Sequence, residues 1–96
     1  METDFFIIDR KSFEQIYLRH WEDMFAFCLS NIQDEEHSKE IVQDVFKSVW
    51  ERREELRLKD VERYLIRSVK LKTFEYIRNK VSRQQHLNNI SNITES

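Results

Sequence analysis

The chain has 96 residues, 40% of them apolar and 35% charged, with a net charge of −2. That length allows one domain with a modest core, and the mixed sign of the charge argues against disorder. Glycine and proline are both absent, which excludes glycine-rich phosphate loops and points to helices joined by short polar connections.

The N-terminal residues Met1-Glu2-Thr3-Asp4 are acidic and precede only four apolar residues, Phe5 to Ile8. They carry no secretory signal, and no apolar run approaches membrane-spanning length, so a cytoplasmic protein without membrane contact is expected. The first helix is predicted to open at Ser12, where Ser12 and Gln15 form a capping box. Phe13, Ile16, Tyr17, Trp21, Met24 and Cys28 follow at helical spacing, and Asn31 is a plausible end. Cys28 is the sole cysteine, so no intrachain disulfide can form, and its apolar neighbours make it a small core residue. The second helix opens near Asp34, with Glu35 and Glu36 in the positive first turn. Its apolar stripe is Val42, Val45, Phe46, Val49 and Leu56. The third opens at Asp60 and runs to about Arg83, with Val61, Leu65, Val69, Tyr76 and Ile77 on one face.

Connections near 32–33 and 56–59 are short, so consecutive helices are antiparallel neighbours. The expected architecture is all-α, a compact three-helix bundle over residues 12–83. Residues 1–11 form an N-terminal extension in which Phe5 to Ile8 could fold against the bundle as a short extra helix. Residues 84–96, rich in Asn and Ser, read as a polar linker or frayed tail.

Charge is segregated by helix. Residues 34–55 hold eight acids and four bases, a net −4, whereas residues 63–83 hold seven bases and one acid, a net +6. On the second helix Glu40, Gln43, Asp44 and Lys47 share a polar, mostly acidic face at i, i+3, i+4 and i+7. On the third, Arg63, Arg67, Lys70 and Arg78 fall within a sector of roughly 80° on an ideal wheel. Phe74 lies inside that sector and Leu71 beside it, while Lys72, Lys80 and Arg83 point elsewhere. Cations interleaved with an aromatic ring suit single-stranded nucleic acid, whose phosphates are held by the charges and whose bases stack on the ring. The plain readings are a solvated charged face, and packing of Phe74 against another element.

The string Glu40-Ile41-Val42-Gln43-Asp44-Val45-Phe46-Lys47-Ser48-Val49-Trp50 resembles the Asp-(Leu/Ile)-Val-Gln-Glu-Val-Phe-x-x-(Leu/Val)-Trp signature of sigma-factor region 2. Tyr64-Leu65-Ile66-Arg67-Ser68-Val69-Lys70 and Phe74-Glu75-Tyr76-Ile77-Arg78 resemble that family's downstream Tyr-Leu…Arg pattern. Phe13-Glu14-Gln15-Ile16-Tyr17 is similar to the opening of region 2 in the extracytoplasmic-function group. The resemblance covers roughly residues 12–83. It implies that Glu40, Gln43 and Asp44 dock on the clamp helices of the β′ subunit of core RNA polymerase, with Lys47, Trp50 and Arg53 extending that surface. It implies equally that Arg63, Tyr64, Arg67, Lys70, Leu71, Lys72, Phe74 and Arg78 lie on the helix facing the non-template strand of the minus-ten promoter element. The stretch Leu56 to Tyr64 would capture an unpaired base, and an anti-sigma factor is a further implied partner. Leu71 departs from the family's usual Asn. The family's region 4, which reads the upstream promoter element, has no counterpart in these residues, which implies a fragment of a longer factor.

Two other classes stay open. A helical protein-interaction module without a DNA role would share the bundle and the charged faces. An enzyme would need a constellation that is hard to find here. His20, His37 and His86 lack metal-ligand spacing with Cys28, and no nucleophile accompanies Asp44 or Glu40. No catalysis and no cofactor are therefore expected.

Overall fold

The computed structural model describes residues 7–95, with side chains described through Asn88. It contains helix α1 (Arg10–Ile32), helix α2 (Glu35–Glu51) and helix α3 (Val61–Glu95), the last entered through a 3-10 turn at Leu58–Asp60. No strand occurs among the described residues, and each helix packs on the other two. The chain is an all-α three-helix bundle.

Helix α1 begins one turn earlier than the Ser12–Gln15 pattern predicts. Its N-cap is Asp9, whose carboxylate accepts the Ser12 backbone N–H at 2.8 Å, while the Ser12 hydroxyl oxygen accepts the Asp9 N–H at 2.9 Å. Ser12 thus closes a capping box as its third residue rather than opening one. The reason lies next door. Ile8, immediately before the cap, is 2% exposed, and Phe13, four residues past the cap, packs against the same core. An apolar pair at these two positions fixes how the chain enters a helix, and only an Asp9 cap puts it there. Of the expected N-terminal segment, Ile7 and Ile8 are described and precede the helix; Phe5 and Phe6 lie outside the described residues.

The chain has no glycine with which to end α1. The helix stops at Gln33 instead, in the left-handed region at φ 54° and ψ 35°, its N–H donating to the Leu29 carbonyl at 2.9 Å. The next residue, Asp34, caps α2 as predicted, its carboxylate accepting the His37 N–H at 3.0 Å. The two hydrogen-bonded caps hold the Asp9 and Asp34 carboxyls below the usual carboxylate range, in each case chiefly through the backbone N–H they accept.

The core is built from Ile16, Met24, Cys28 and Ile32 of α1, Ile41, Val42, Val45, Phe46 and Val49 of α2, and Val61, Leu65 and Val69 of α3. Leu56, Tyr76 and Ile77 are half-buried at its edge. Where α1 and α3 meet, the buried Cys28 Sγ and Thr73 Oγ1 hydrogen-bond at 3.3 Å, and burial pushes the Cys28 thiol pKa up. Along the α1–α2 seam runs an aromatic row. Phe13 lies 5.2 Å from Trp50 and 6.4 Å from Phe46, and Tyr17 lies 4.8 Å from Phe46 and 6.4 Å from Trp21 between ring centroids.

Helix α3 runs past the expected end at Arg83 to Glu95, so residues 84–95 are helical rather than a frayed tail. Two features explain this. No glycine or proline interrupts the pattern, and those residues are what usually stop a helix. Meanwhile the inward stripe Val61, Leu65, Val69, Thr73 and Tyr76 passes into Lys80 and Arg83, so the bundle ends near Ile77 while the helix does not. Every described side chain from Arg78 to Asn88 is exposed. At 35 residues, α3 is about 52 Å long.

Candidate functional site

The outward face of α2 carries Glu40, Gln43, Asp44 and Lys47, all exposed, while the intervening Ile41, Val42, Val45 and Phe46 are buried. The alternation follows from the helical period, because polar residues at i, i+3, i+4 and i+7 share the side opposite the core. Glu36 and Glu51 are exposed and fall on the same side by that period, extending the acidic face by a turn at each end. Sequence inspection had the signal for both, in their i−4 and i+7 spacing from Glu40 and Asp44, but left them out. Among the described residues neither Glu40 nor Asp44 makes an ion pair; the ion pairs on this helix are Lys39–Glu35 at 3.7 Å and His37–Asp34 at 2.8 Å.

Trp50 and Arg53 sit beside that face rather than on it. Trp50 is half-buried against Phe13, and the Arg53 guanidinium lies 4.1 Å from its ring centroid while Nη1 donates to the Trp50 carbonyl at 2.8 Å. Held in this way, both residues wall an open groove of about 690 Å³ that also touches Ile8, Arg10, Leu56 and Arg57. A smaller groove of about 270 Å³ lies between Arg19 and His20 of α1 and Leu58, Val61 and Glu62 at the entry to α3. Residues of the 56–64 stretch line both concavities, Leu56 and Arg57 the larger and Leu58, Val61 and Glu62 the smaller.

On α3 the structure brings six of the eight singled-out residues to one exposed face: Arg63, Arg67, Lys70, Leu71, Phe74 and Arg78. None of the four cations makes an ion pair among the described residues, so the face keeps its full positive charge. Phe74 packs on α1 and is open to solvent at once. Its ring meets Phe27 of α1 edge-on at 6.3 Å, yet the residue stays 54% exposed. Leu71 is 60% exposed and touches solvent rather than core. Val81 is also exposed and falls on this side by the helical period, and the exposed Ile66 lies on its flank, adding apolar surface that the charge pattern did not reveal.

The other two residues stand elsewhere. Tyr64 is half-buried and its hydroxyl hydrogen-bonds the Ser48 hydroxyl of α2, so it ties α3 to α2 instead of facing outward. Lys72 is half-buried on the bundle side, at the angular position of Val61 and Leu65. The arrangement can therefore offer an acidic helix face to a basic protein, and a basic face with flat apolar side chains to an anionic chain.

The histidines do not form a centre. His37 Nδ1 is held by Asp34 Oδ2 at 2.8 Å, with its ring 4.9 Å from Tyr76, so it pins the start of α2 to α3. Among the described residues no cluster of His, Cys, Asp or Glu could hold a metal ion, and no helix is long and apolar enough to cross a membrane. Comparison of the chain with protein-family models, with curated proteins and with solved structures found no match.

Proposed function

We propose that this chain is a transcription-initiation module of the sigma region 2 type, working in the bacterial cytoplasm. Glu40, Gln43 and Asp44 of α2 dock on the clamp helices of the polymerase β′ subunit. Arg63, Arg67, Lys70 and Arg78 hold phosphates of the non-template strand at the minus-ten element, with Phe74 offered to its bases. The grooves around residues 56–64 are the place for an unpaired base, whose unstacking costs a few kcal/mol that strand contacts must offset. An anti-sigma protein is a partner of the same class as the polymerase, one that competes for the α2 face.

The observation that supports this reading is the fit between signature and surface. Each polar position of the Glu40–Trp50 string that the resemblance ties to polymerase docking is exposed and outside any ion pair, and the apolar positions between them form the core. Titration calorimetry against the β′ clamp-helix fragment tests it, with Gln43→Ala/Asp44→Ala as the comparison. Binding by the parent chain and at least a tenfold loss in the folded variant is the expected result. No binding by the folded parent chain refutes the reading.

A second reading, a protein-interaction module without DNA, is favoured by exposed apolar surface on α1, where Tyr17 is 38% and Leu18 72% exposed. Charge reversal separates the two. Arg67→Glu/Lys70→Glu leaves an interaction module intact and abolishes single-stranded DNA binding by a sigma domain.

A further inference from the structure

Beyond Ile77, α3 leaves the bundle, and of its residues only Arg78 and Val81 belong to the basic face described above. From Arg78 to Asn88 every side chain is exposed, so the helix stands clear of the bundle on all sides for about 17 Å. Its charge is one-signed: Arg78, Lys80 and Arg83 are cations, and no acid occurs between Glu75 and Glu95. Glu75 precedes Arg78 by three residues on α3 itself; the start of α2 also lies close, since His37 touches Tyr76, and two of its acids are already engaged, Asp34 with His37 and Glu35 with Lys39. Lys80 and Arg83 make no ion pair among the described residues.

The cations are not on one side. Arg78 continues the basic face, whereas Lys80 and Arg83 lie roughly 120–180° around the helix from it, on the continuation of the core stripe. A single strand follows one side of a helix. A duplex groove presents a phosphate backbone to each flank, and the major groove, about 12 Å wide, admits one α-helix. The segment also has no Phe, Tyr or Trp, so His86 is its one flat ring and it lacks the row of rings on which successive bases of a single strand stack. In place of one it exposes Asn79, Gln84, Gln85 and Asn88, all able to donate to phosphate or base edges.

We propose that residues 78–88 form a duplex-DNA arm, with Arg78 on one flank and Lys80 and Arg83 on the other gripping the two backbones of a groove. The arm rests on the proposed function only for where the duplex lies, next to the strand held by Phe74 and its neighbouring cations. It supplies affinity and register more than sequence choice, because its charged contacts go to phosphate.

The test is fluorescence anisotropy of the full chain with a short DNA duplex and with the matching single strand, over a salt series starting low. Each cation on a phosphate adds about 0.9 to the log–log salt slope on duplex and about 0.7 on single strand. Lys80→Gln/Arg83→Gln should lower the duplex slope by about 1.8 and leave the single-strand slope unchanged. The charge-preserving Lys80→Arg/Arg83→Lys should restore it, and circular dichroism confirms that helix content is kept. In contrast, Arg67→Gln/Lys70→Gln should lower the single-strand slope by about 1.4. An unchanged duplex slope in Lys80→Gln/Arg83→Gln overturns the arm, as does an equal fall on both ligands, which would mean diffuse attraction. Absence of duplex binding at the lowest salt overturns it too, and a salt-sensitive dimer in that case assigns the arm to the acidic α2 face of a second copy. If the arm variant behaves as expected while Arg67→Gln/Lys70→Gln changes nothing on single strand, the arm stands and the proposed strand-holding face fails.

Discussion

Gln33→Gly should make this protein more stable, although glycine usually weakens helical proteins. Gln33 ends α1 at φ 54° and ψ 35° and is the one described residue to hold a positive φ. A side chain there brings Cβ against the carbonyl, at a cost of about 1–2 kcal/mol. Glycine removes that cost, and its looser unfolded chain gives back about 0.5–1 kcal/mol. The side chain of Gln33 is exposed, and the cap bond to the Leu29 carbonyl runs from the backbone, so the substitution removes neither packing nor the cap. The net gain is about 0.5–1 kcal/mol, which raises Tm by roughly 2–8 °C for a chain of this size. Gln33→Asn should fall between, since Asn tolerates this region, and Gln33→Val should lose stability, since a β-branched residue tolerates it least. Thermal and urea unfolding followed by circular dichroism measures all three. A destabilised glycine variant, or a valine variant as stable as the parent chain, would show that α1 does not end on a strained residue and would refute the argument.

Leu65→Ala removes a core side chain that is 1% exposed in the second turn of α3; a loss of about 2–5 kcal/mol is expected in urea unfolding, and a loss below 1 kcal/mol would place Leu65 outside a packed core. Tyr64→Phe deletes the hydroxyl bonded to Ser48 and should cost about 0.5–1.5 kcal/mol, while single-stranded DNA binding stays unchanged; weakened DNA binding with unchanged stability would return Tyr64 to the DNA surface. The caps set an acid limit. Because the Asp9 and Asp34 carboxyls titrate below 3.8 in the folded chain, their contribution is complete above that ordinary value. It falls away as pH drops below 3.8 and is gone once the lowered folded values are passed. Asp9→Asn/Asp34→Asn keeps a cap acceptor but removes the titration, so the difference in stability between parent and variant should shrink on acidification through this window. A difference that stays constant from neutral pH to strong acid contradicts the cap assignment.

Three helices in this order, the Asp34 cap, the start of α3 beside Asp60 and the inward stripes of α2 and α3 could all be read from spacing and local chemistry, except that Leu56, expected on the α2 stripe, lies in the turn after α2 ends at Glu51. Those features depend on residues close along the chain, where the helical period and capping bonds operate. The same holds for the two charged faces, because a polar residue on the far side of a helix from its apolar stripe has nowhere to go but solvent. Other features needed the tertiary structure. Asp9-x-x-Ser12 and Ser12-x-x-Gln15 are both acceptable caps, and burial of Ile8 with Phe13 decides between them. Tyr64 turns to Ser48, Phe74 meets Phe27, and Trp50 packs at a tilt against Phe13 because of how the helices are rotated and crossed, which no single-helix wheel contains. The length of α3 beyond the bundle was hidden for a related reason. Its composition resembles a polar tail, and whether such a segment frays or continues depends on the absence of a stop signal and on the long packed helix that precedes it. Spacing along one chain determines what each helix shows to its surroundings; the docking of three helices determines which of those groups meet one another and which remain for a partner.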